Sequence, residues 1–379
     1  MSILKKIFSF FNKEKISEQN IQPLPWIEAS DNPWNVKLLD LRPYTKENVF
    51  YTTNAQQIQN YLSFGDENGK SFWGLTPVNP RTFNVQHSYP CDGKLEPGVL
   101  FSSNSMEHKW AIFFDGSNII IVSSRDRVVM LTAKAIPKNN ELIIESINGI
   151  LTPFPYEPEE PAVTYAAFNY LMISYVYGET TPVPLLERFA PDPNSAAVWA
   201  FHSYGNLAEI GVFDEKYIAK PKGLLRSDSL LHLAILKNNH PEIEDLLKKG
   251  ANIHALSKNG TSTLDWTTFT DNTDTLKNML TFGADPNLRN IRAETPIMTA
   301  AYENKVLHIE LFLQAGALIN ATCQQGFTAL HRAAYHGHKD TVQFLLAKGA
   351  DKNISSKDQT PLSLAIEKNH QEIIEILSK

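Results

Sequence analysis

Three histidines crowd one short stretch, His331, His336 and His338, and imidazoles so closely spaced are the first candidate for a metal centre. The second candidate is a thiol. Cys91 lies in Tyr89-Pro90-Cys91-Asp92-Gly93-Lys94, and it would need a neighbouring base to become a nucleophile. His87, His108 and His202 are the imidazoles a fold could bring to it, and with Asp92 and Glu107 they make one loose cluster. Asp92, Asp115 and Asp126 all fall in turn-like sequence, where carboxylates ordinarily hold backbone N–H groups. No GxSxG, HExxH, Walker A or GxGxxG pattern occurs. The residues therefore assign no catalytic set, and neither cofactor nor metal is expected.

Composition narrows the classes further. The chain has 379 residues, 35 Lys+Arg against 41 Asp+Glu, and a net charge of −6. An acidic chain without a basic stripe is poorly suited to sequence-independent nucleic-acid binding. Two cysteines cannot build a disulfide framework or a cysteine-rich zinc site. The length suits two domains.

The strongest signal is a period. Gly-Ala pairs stand at Gly250-Ala251, Gly283-Ala284, Gly316-Ala317 and Gly349-Ala350, 33 residues apart. A second series keeps phase with them: SLLHLA at Ser229–Ala234, STLDWT at Ser262–Thr267, TPIMTA at Thr295–Ala300 and TALHRA at Thr328–Ala333. A further copy, TPLSLA at Thr360–Ala365, arrives one residue early. Two series with one period define a repeat architecture.

These residues resemble the ankyrin repeat, with its TPLHxA start, Gly-His turn and terminal Gly-Ala. The copy GFTALHRAAYHGHKDTVQFLLAKGADKN, from Gly326 to Asn353, matches most fully. In physical terms, Thr328 can cap the first helix and Ala333 and Ala334 keep it slim. Gly337 suits a positive φ between the helices, and Gly349 ends the second one. The second copy departs most: Asp265, Trp266 and Thr267 replace His-x-Ala, and Asn272 replaces a turn residue such as His338. A weaker, less regular repeat is expected over 262–275. The resemblance also implies that His232 and His331 hydrogen-bond turns of adjacent repeats, which removes the motive for a metal centre.

Residues 21–222 have another texture. Two β-rich runs bracket Asp115-Gly116-Ser117-Asn118, and two more bracket Lys138-Asn139-Asn140, so two hairpins are expected among three to five antiparallel strands. The apolar run from Ala162 to Tyr177 is too short to span a bilayer and reads as a buried core helix, with another short helix near 194–210. The fold expected is an α+β domain with an antiparallel sheet at 21–222, followed by an all-α ankyrin repeat solenoid at 223–379. Residues 1–20 form a third, amphipathic segment. Read as a helix, Ile3, Leu4, Ile7, Phe8 and Phe11 share one face while Lys5, Lys6 and Lys13 lie toward the other. Peripheral contact with an anionic membrane through residues 1–15 suits that pattern. A cytoplasmic address is expected, with attachment at the inner face of a membrane as its variant.

The resemblance implies a protein-binding role without catalysis, because ankyrin arrays bind partner proteins through finger tips and the concave face of the first helices. Carried over position by position, the tips are Lys258, Asn259, Ile291, Arg292, Gln324 and Gln325. The concave positions are Phe269, Thr270, Tyr302, Glu303, Tyr335 and His336. Phe269, Tyr302 and Tyr335 recur at the period and should form an aromatic ladder. Two alternatives stand beside this reading: a bacterial immunity or antitoxin-like protein that blocks a toxin by binding it, and an enzyme whose 21–222 domain acts on substrate recruited by the array.

Overall fold

A computed structural model describes residues 23–45, 54–103, 108–151 and 161–379. The chain divides into two compact units, Met1–Leu225 and Arg226–Lys379. The amphipathic residues 1–20 lie outside the described residues, as does Glu107.

The first unit is α+β. Six of its strands form one antiparallel sheet in the spatial order Gly98–Phe101, Trp110–Phe114, Asn118–Ser123, Val128–Lys138, Glu141–Gly149, Thr82–Pro90. Both expected hairpins are present. At the first, Asp115 Oδ1 accepts from Ser117 N at 2.8 Å and Asn118 N at 2.6 Å, so this turn carboxylate serves the backbone. At the second, Asn139 and Asn140 both take positive φ, 52° and 63°, the mirror-image turn that matches strand twist. A second small sheet, in the order Trp26–Ile27, Leu38–Asp40, Ile210–Val212, Val183–Pro184, ends in a parallel pair that the sequence did not announce.

Every residue of Trp110–Phe114 is buried, so this sheet is covered on both faces. Trp110, Ile112 and Phe114 join the main core with the helix Pro161–Leu171 and the helix Pro193–Tyr204. On the other face Phe113 stacks with Phe72 at 5.5 Å and Phe64 at 6.4 Å. The run Ala162–Tyr177 is a buried helix that passes into a π-helical turn at Met172–Val176. Its polar groups are paired: Tyr170 donates to Leu207 O at 2.7 Å, Tyr177 to Pro90 O at 3.0 Å, and Tyr175 to Tyr204 O. Asn169 bridges Tyr89 Oη at 3.1 Å and Ala219 N at 2.9 Å. Among the described residues no helix is long and apolar enough to cross a membrane.

The second unit is helical, built from five helix pairs. The inner helices are Leu230–Leu236, Thr263–Thr267, Pro296–Tyr302, Ala329–His336 and Pro361–Glu367; the outer helices are His240–Lys248, Thr273–Thr281, Val306–Gln314, Lys339–Ala347 and Gln371–Leu377. The joints between helices of a pair use Asn238, Asn304, Gly337 and Asn369 in the left-handed region. The second pair has Asp271 at that place, which does not adopt it. The expected irregularity is confined to this joint: the inner helix stops at Thr267, and Asn272 caps the outer one by accepting from Asp274 N at 2.8 Å. The helices themselves stay formed and packed, with Leu264, Leu276 and Met279 in the common core. The expected departure from regular packing over 262–275 is thus limited to the joint, because Asp265 replaces the histidine's bonding.

Lys109, at the foot of the strand Trp110–Phe114, donates to His202 O and is half-buried. Burial, then Arg125, pushes its ammonium down to about 7, against the pull of Asp126. Unfolded lysine keeps its proton to about pH 10.4. Between pH 7 and 8.5 the unfolded chain therefore holds a proton that the folded chain has released, and stability rises with pH. The limiting slope is about 1.4 kcal/mol per pH unit. In urea titrations of wild type and Lys109→Met across pH 6–8.5, wild type should gain on the variant as pH rises. A difference that stays flat would show that Lys109 does not titrate in this window.

Candidate partner-binding face of the array

Each inner helix begins at a hydroxyl residue. Ser229, Ser262, Thr328 and Thr360 each accept a hydrogen bond from the backbone N–H three residues on. In the fourth repeat His331 completes the box: its Nδ1 lies 2.8 Å from Thr328 Oγ1 and accepts from Thr328 N at 3.1 Å, while Nε2 reaches Gln359 O of the next repeat at 3.3 Å. In the second repeat Asp265 does the same work. Its Oδ2 accepts from Ser262 N at 2.7 Å and Ser262 Oγ at 2.9 Å, and Oδ1 accepts from Thr299 Oγ1 of the next repeat at 2.6 Å. Burial pushes the Asp265 carboxyl up, and the Thr299 and Ser262 donors hold it back. Thr295 is the exception: Met298 stands where its polar partner would be, and Thr295 Oγ1 is buried without one among the described residues.

Three further histidines tie the joints. His338 Nε2 reaches Tyr302 O at 2.8 Å, His370 Nε2 reaches Tyr335 O at 3.0 Å, and His308 Nε2 reaches Thr267 O at 3.1 Å. Their nitrogens serve the backbone of neighbouring repeats. Burial pushes His232 down to about 3, so it is neutral where it packs on Trp266.

The finger tips are linked in one direction. Ile291 N donates to Gly260 O at 3.1 Å, Gln324 N donates to Arg292 O at 3.0 Å, and Ser356 Oγ donates to Gln325 O. A Cβ at Gly260, where φ is +74°, would meet Ile291 Cγ1 at 2.4 Å, so only glycine lets these tips close. Asn259, Ile291, Arg292, Gln324 and Gln325 are exposed. Lys258 already has a partner: its N–H donates to Asp228 Oδ1 at 3.1 Å and its Nζ lies 3.3 Å from Asp228 Oδ2.

At the ends of the inner helices, Phe269 just past Thr267 and Tyr302 and Tyr335 in the last turn, the rings remain 46%, 47% and 37% exposed. Thr270, Glu303 and His336, the next positions, are half-buried. The expected ladder is broken into two groups of rings. Phe269 packs on Trp266 at 6.0 Å. Farther along, His336 is wedged between Tyr302 at 4.3 Å and Tyr335 at 5.0 Å, and Lys368 Nζ lies 4.5 Å over the Tyr335 ring. Partial burial lowers the His336 pKa, and His338, Arg332 and His370 lower it further. The sequence reading missed Leu236, 43% exposed and one period ahead of Phe269; counting back 33 residues would have found it.

The Cys91 cluster of the first unit has no comparable arrangement. The thiol is buried, donates to Tyr89 O at 3.5 Å and is pushed up to about 12 by burial and then by Glu141, opposite to what a nucleophile requires. His87 lies on the edge strand Thr82–Pro90 against Tyr89 and Tyr165, whereas His108 packs on Phe101 near the other end of the sheet order. Burial pushes His202 down to about 3.

Family models for ankyrin repeats match residues 264–356 and 326–379, and the single ankyrin repeat matches 227–258. Residues 227–379 are ankyrin repeats. No family model matches the region before them. A putative ankyrin repeat protein of fowlpox virus is 30% identical over 41% of this chain and 49% of its own length. Human NF-kappa-B inhibitor alpha is 28% identical over 33% of this chain and 43% of its own length, and a tyrosine-protein kinase of Hydra vulgaris is 26% identical over 39% and 20%. The chain thus spans half or less of each of these relatives. Ankyrin repeats and these relatives together support a protein–protein interaction role.

The Asp265 bonding makes the second ankyrin repeat the place to test stacking. Asp265→Ala strips two buried donors on Ser262 and the half-buried Thr299 hydroxyl of their acceptor and should cost about 2 kcal/mol or more. Urea denaturation read by circular dichroism measures it. A loss below about 0.5 kcal/mol would mean that water replaces the carboxylate.

Proposed function

We propose that this protein acts by capturing a partner protein on the inner face of its ankyrin array, without catalysis. The observation that carries the reading is the row of four large apolar side chains, Leu236, Phe269, Tyr302 and Tyr335. One stands at the same place in each of four successive repeats, and each is left more than one-third exposed. Large apolar side chains held out in register contribute little to stacking, whereas aromatic anchors dominate interface energetics. The tips Asn259, Arg292, Gln324 and Gln325, with Thr270, Glu303 and His336 beside the rings, supply the polar rim of the proposed surface, and Ile291 adds an exposed apolar tip; Lys258, tied to Asp228, contributes its remaining exposed surface. In the first unit, the buried and unactivated Cys91 favours binding over thiol catalysis.

The test compares full-length wild type with Tyr302→Ala/Tyr335→Ala in affinity capture from the source cells, with captured protein quantified by mass spectrometry. The double variant should keep its thermal unfolding within a few degrees and lose at least tenfold of the specific partner. Undiminished capture would remove the inner face from the interface.

The sequence of the first 15 residues supports a second attachment, peripheral contact with an anionic membrane, because a helix there would set its Ile, Leu and Phe on one face and its lysines toward the other. Flotation with liposomes of phosphatidylserine should carry the full-length chain and not a chain lacking residues 1–15. Equal flotation would end that reading.

A further inference from the structure

The outer face of the third repeat breaks the pattern of its sisters. At the second position of the outer helices the repeats carry Pro241, Asp274, Leu307, Asp340 and Glu372; in the loop after those helices the first four carry Asn252, Asp285, Leu318 and Asp351. Only the third has leucine, and it has it twice. Leu307 is 64% exposed and Leu318 63%, more than any of the ladder residues. From Leu307, Leu311 and Gln314 follow at helical spacing, Leu311 half-buried and Gln314 exposed, and Leu318 comes in the loop just past the helix end. The helix Val306–Gln314 has Glu310 as its one acid, and its remaining polar residues are His308 and Gln314. This stripe belongs to the outer helices, not to the inner helices that carry Tyr302 and Tyr335.

What surrounds the stripe selects its occupant. Adjacent repeats stack about 10 Å apart. Leu307 is therefore flanked by Asp274 and Asp340, and Leu318 by Asp285 and Asp351, all four exposed. Glu310 lies within the stripe, 3.8 Å from Lys348, and Asp274 is 3.0 Å from Lys277. Five carboxylates thus stand around the leucines; of the neighbouring lysines, Lys277 and Lys348 lie against two of them, while Lys305, Lys339 and Lys352 reach Asp271, Glu372 and Leu377 O instead. A second copy of this chain would bring aspartates against aspartates. A lysine-flanked apolar helix would meet leucine with leucine and carboxylate with ammonium.

We propose that the outer face of the third ankyrin repeat is a docking site for a short amphipathic helix with basic flanks, presented by a partner protein. The site is independent of the inner face. It uses Leu307, Leu311 and Leu318 as the apolar seat and Asp274, Asp285, Asp340 and Asp351 as the rim.

The probe is a labelled amphipathic peptide of leucine and lysine, about 14 residues or four helical turns, with the same peptide carrying glutamate for lysine as its counterpart. Fluorescence anisotropy is measured on the full-length chain. The lysine peptide should bind wild type at least tenfold tighter than Leu307→Asp/Leu318→Asp, and the glutamate peptide should not bind. Those substitutions restore aspartates that neighbouring repeats carry at the same positions, so the array should fold, which circular dichroism checks. Asp340→Lys/Asp351→Lys leaves the leucines untouched and should abolish the preference for lysine. Equal binding of the lysine peptide to wild type and the leucine variant overturns the proposal, as does unchanged preference in the lysine variant. Sedimentation velocity gives the remaining outcome: self-association of wild type that the leucine variant loses would make the occupant a second copy and overturn the basic helix.

Discussion

The helices of the array are too short to stand by themselves. The inner ones run from five residues at Thr263–Thr267 to eight at Ala329–His336, and the outer ones reach nine at most. Isolated helices below about 12–15 residues are marginal in water, so each pair exists because its neighbours cover it. Everything else in the second unit follows from that dependence. Alanines at Ala300, Ala301, Ala333 and Ala334 are fully buried because neighbouring helices must come close, and the left-handed joints at Asn304, Gly337 and Asn369 turn the chain back sharply enough to keep the layers aligned. Stability in such an array is a sum over units and the contacts between neighbours.

Polar groups inside the stack must then reach across it. Asp265 and His331 show two chemical answers to one geometric demand, a side chain that holds its own N-cap and also touches the next layer. A carboxylate does it with acceptors alone, and Thr299 turns its hydroxyl to suit. An imidazole does it with one acceptor and one donor, aimed at a carbonyl. Met298 does neither, and Thr295 Oγ1 in the third repeat has no partner among the described residues. That repeat is also the one with leucines on its outer face, so it departs from its sisters on both sides of the stack.

Most of the array was legible in the sequence because its period is local. Gly250, Gly283, Gly316 and Gly349 take φ between 86° and 91° at the ends of the outer helices, where the Gly-Ala spacing placed them. The candidate face was legible as positions and not as contacts. The period located Phe269, Tyr302 and Tyr335, but whether rings one period apart touch depends on rotamers and on what lies between them. His336 intervenes on one side of Tyr302, and Phe269 turns to Trp266. Lys258 looked like a free tip residue because its partner, Asp228, is 30 residues away in the sequence.

The sequence by itself determined the repeat, its helices and caps, and the α+β character of the first unit with its two hairpins, since these are set by turn residues and by near-neighbour spacing. Only the tertiary structure decided the strand order that sets Thr82–Pro90 beside Glu141–Gly149, the parallel pairing of Ile210–Val212 with Val183–Pro184, and the neutral state toward which burial drives Lys109. It also decided the chemistry the first residues seemed to offer. His331 and His338 spend their nitrogens on backbone groups, and Cys91 is held as a thiol. Nucleophilicity and metal affinity depend on solvation and on which atoms lie within about 3 Å. Those are properties of the packed chain, and spacing along the sequence does not carry them.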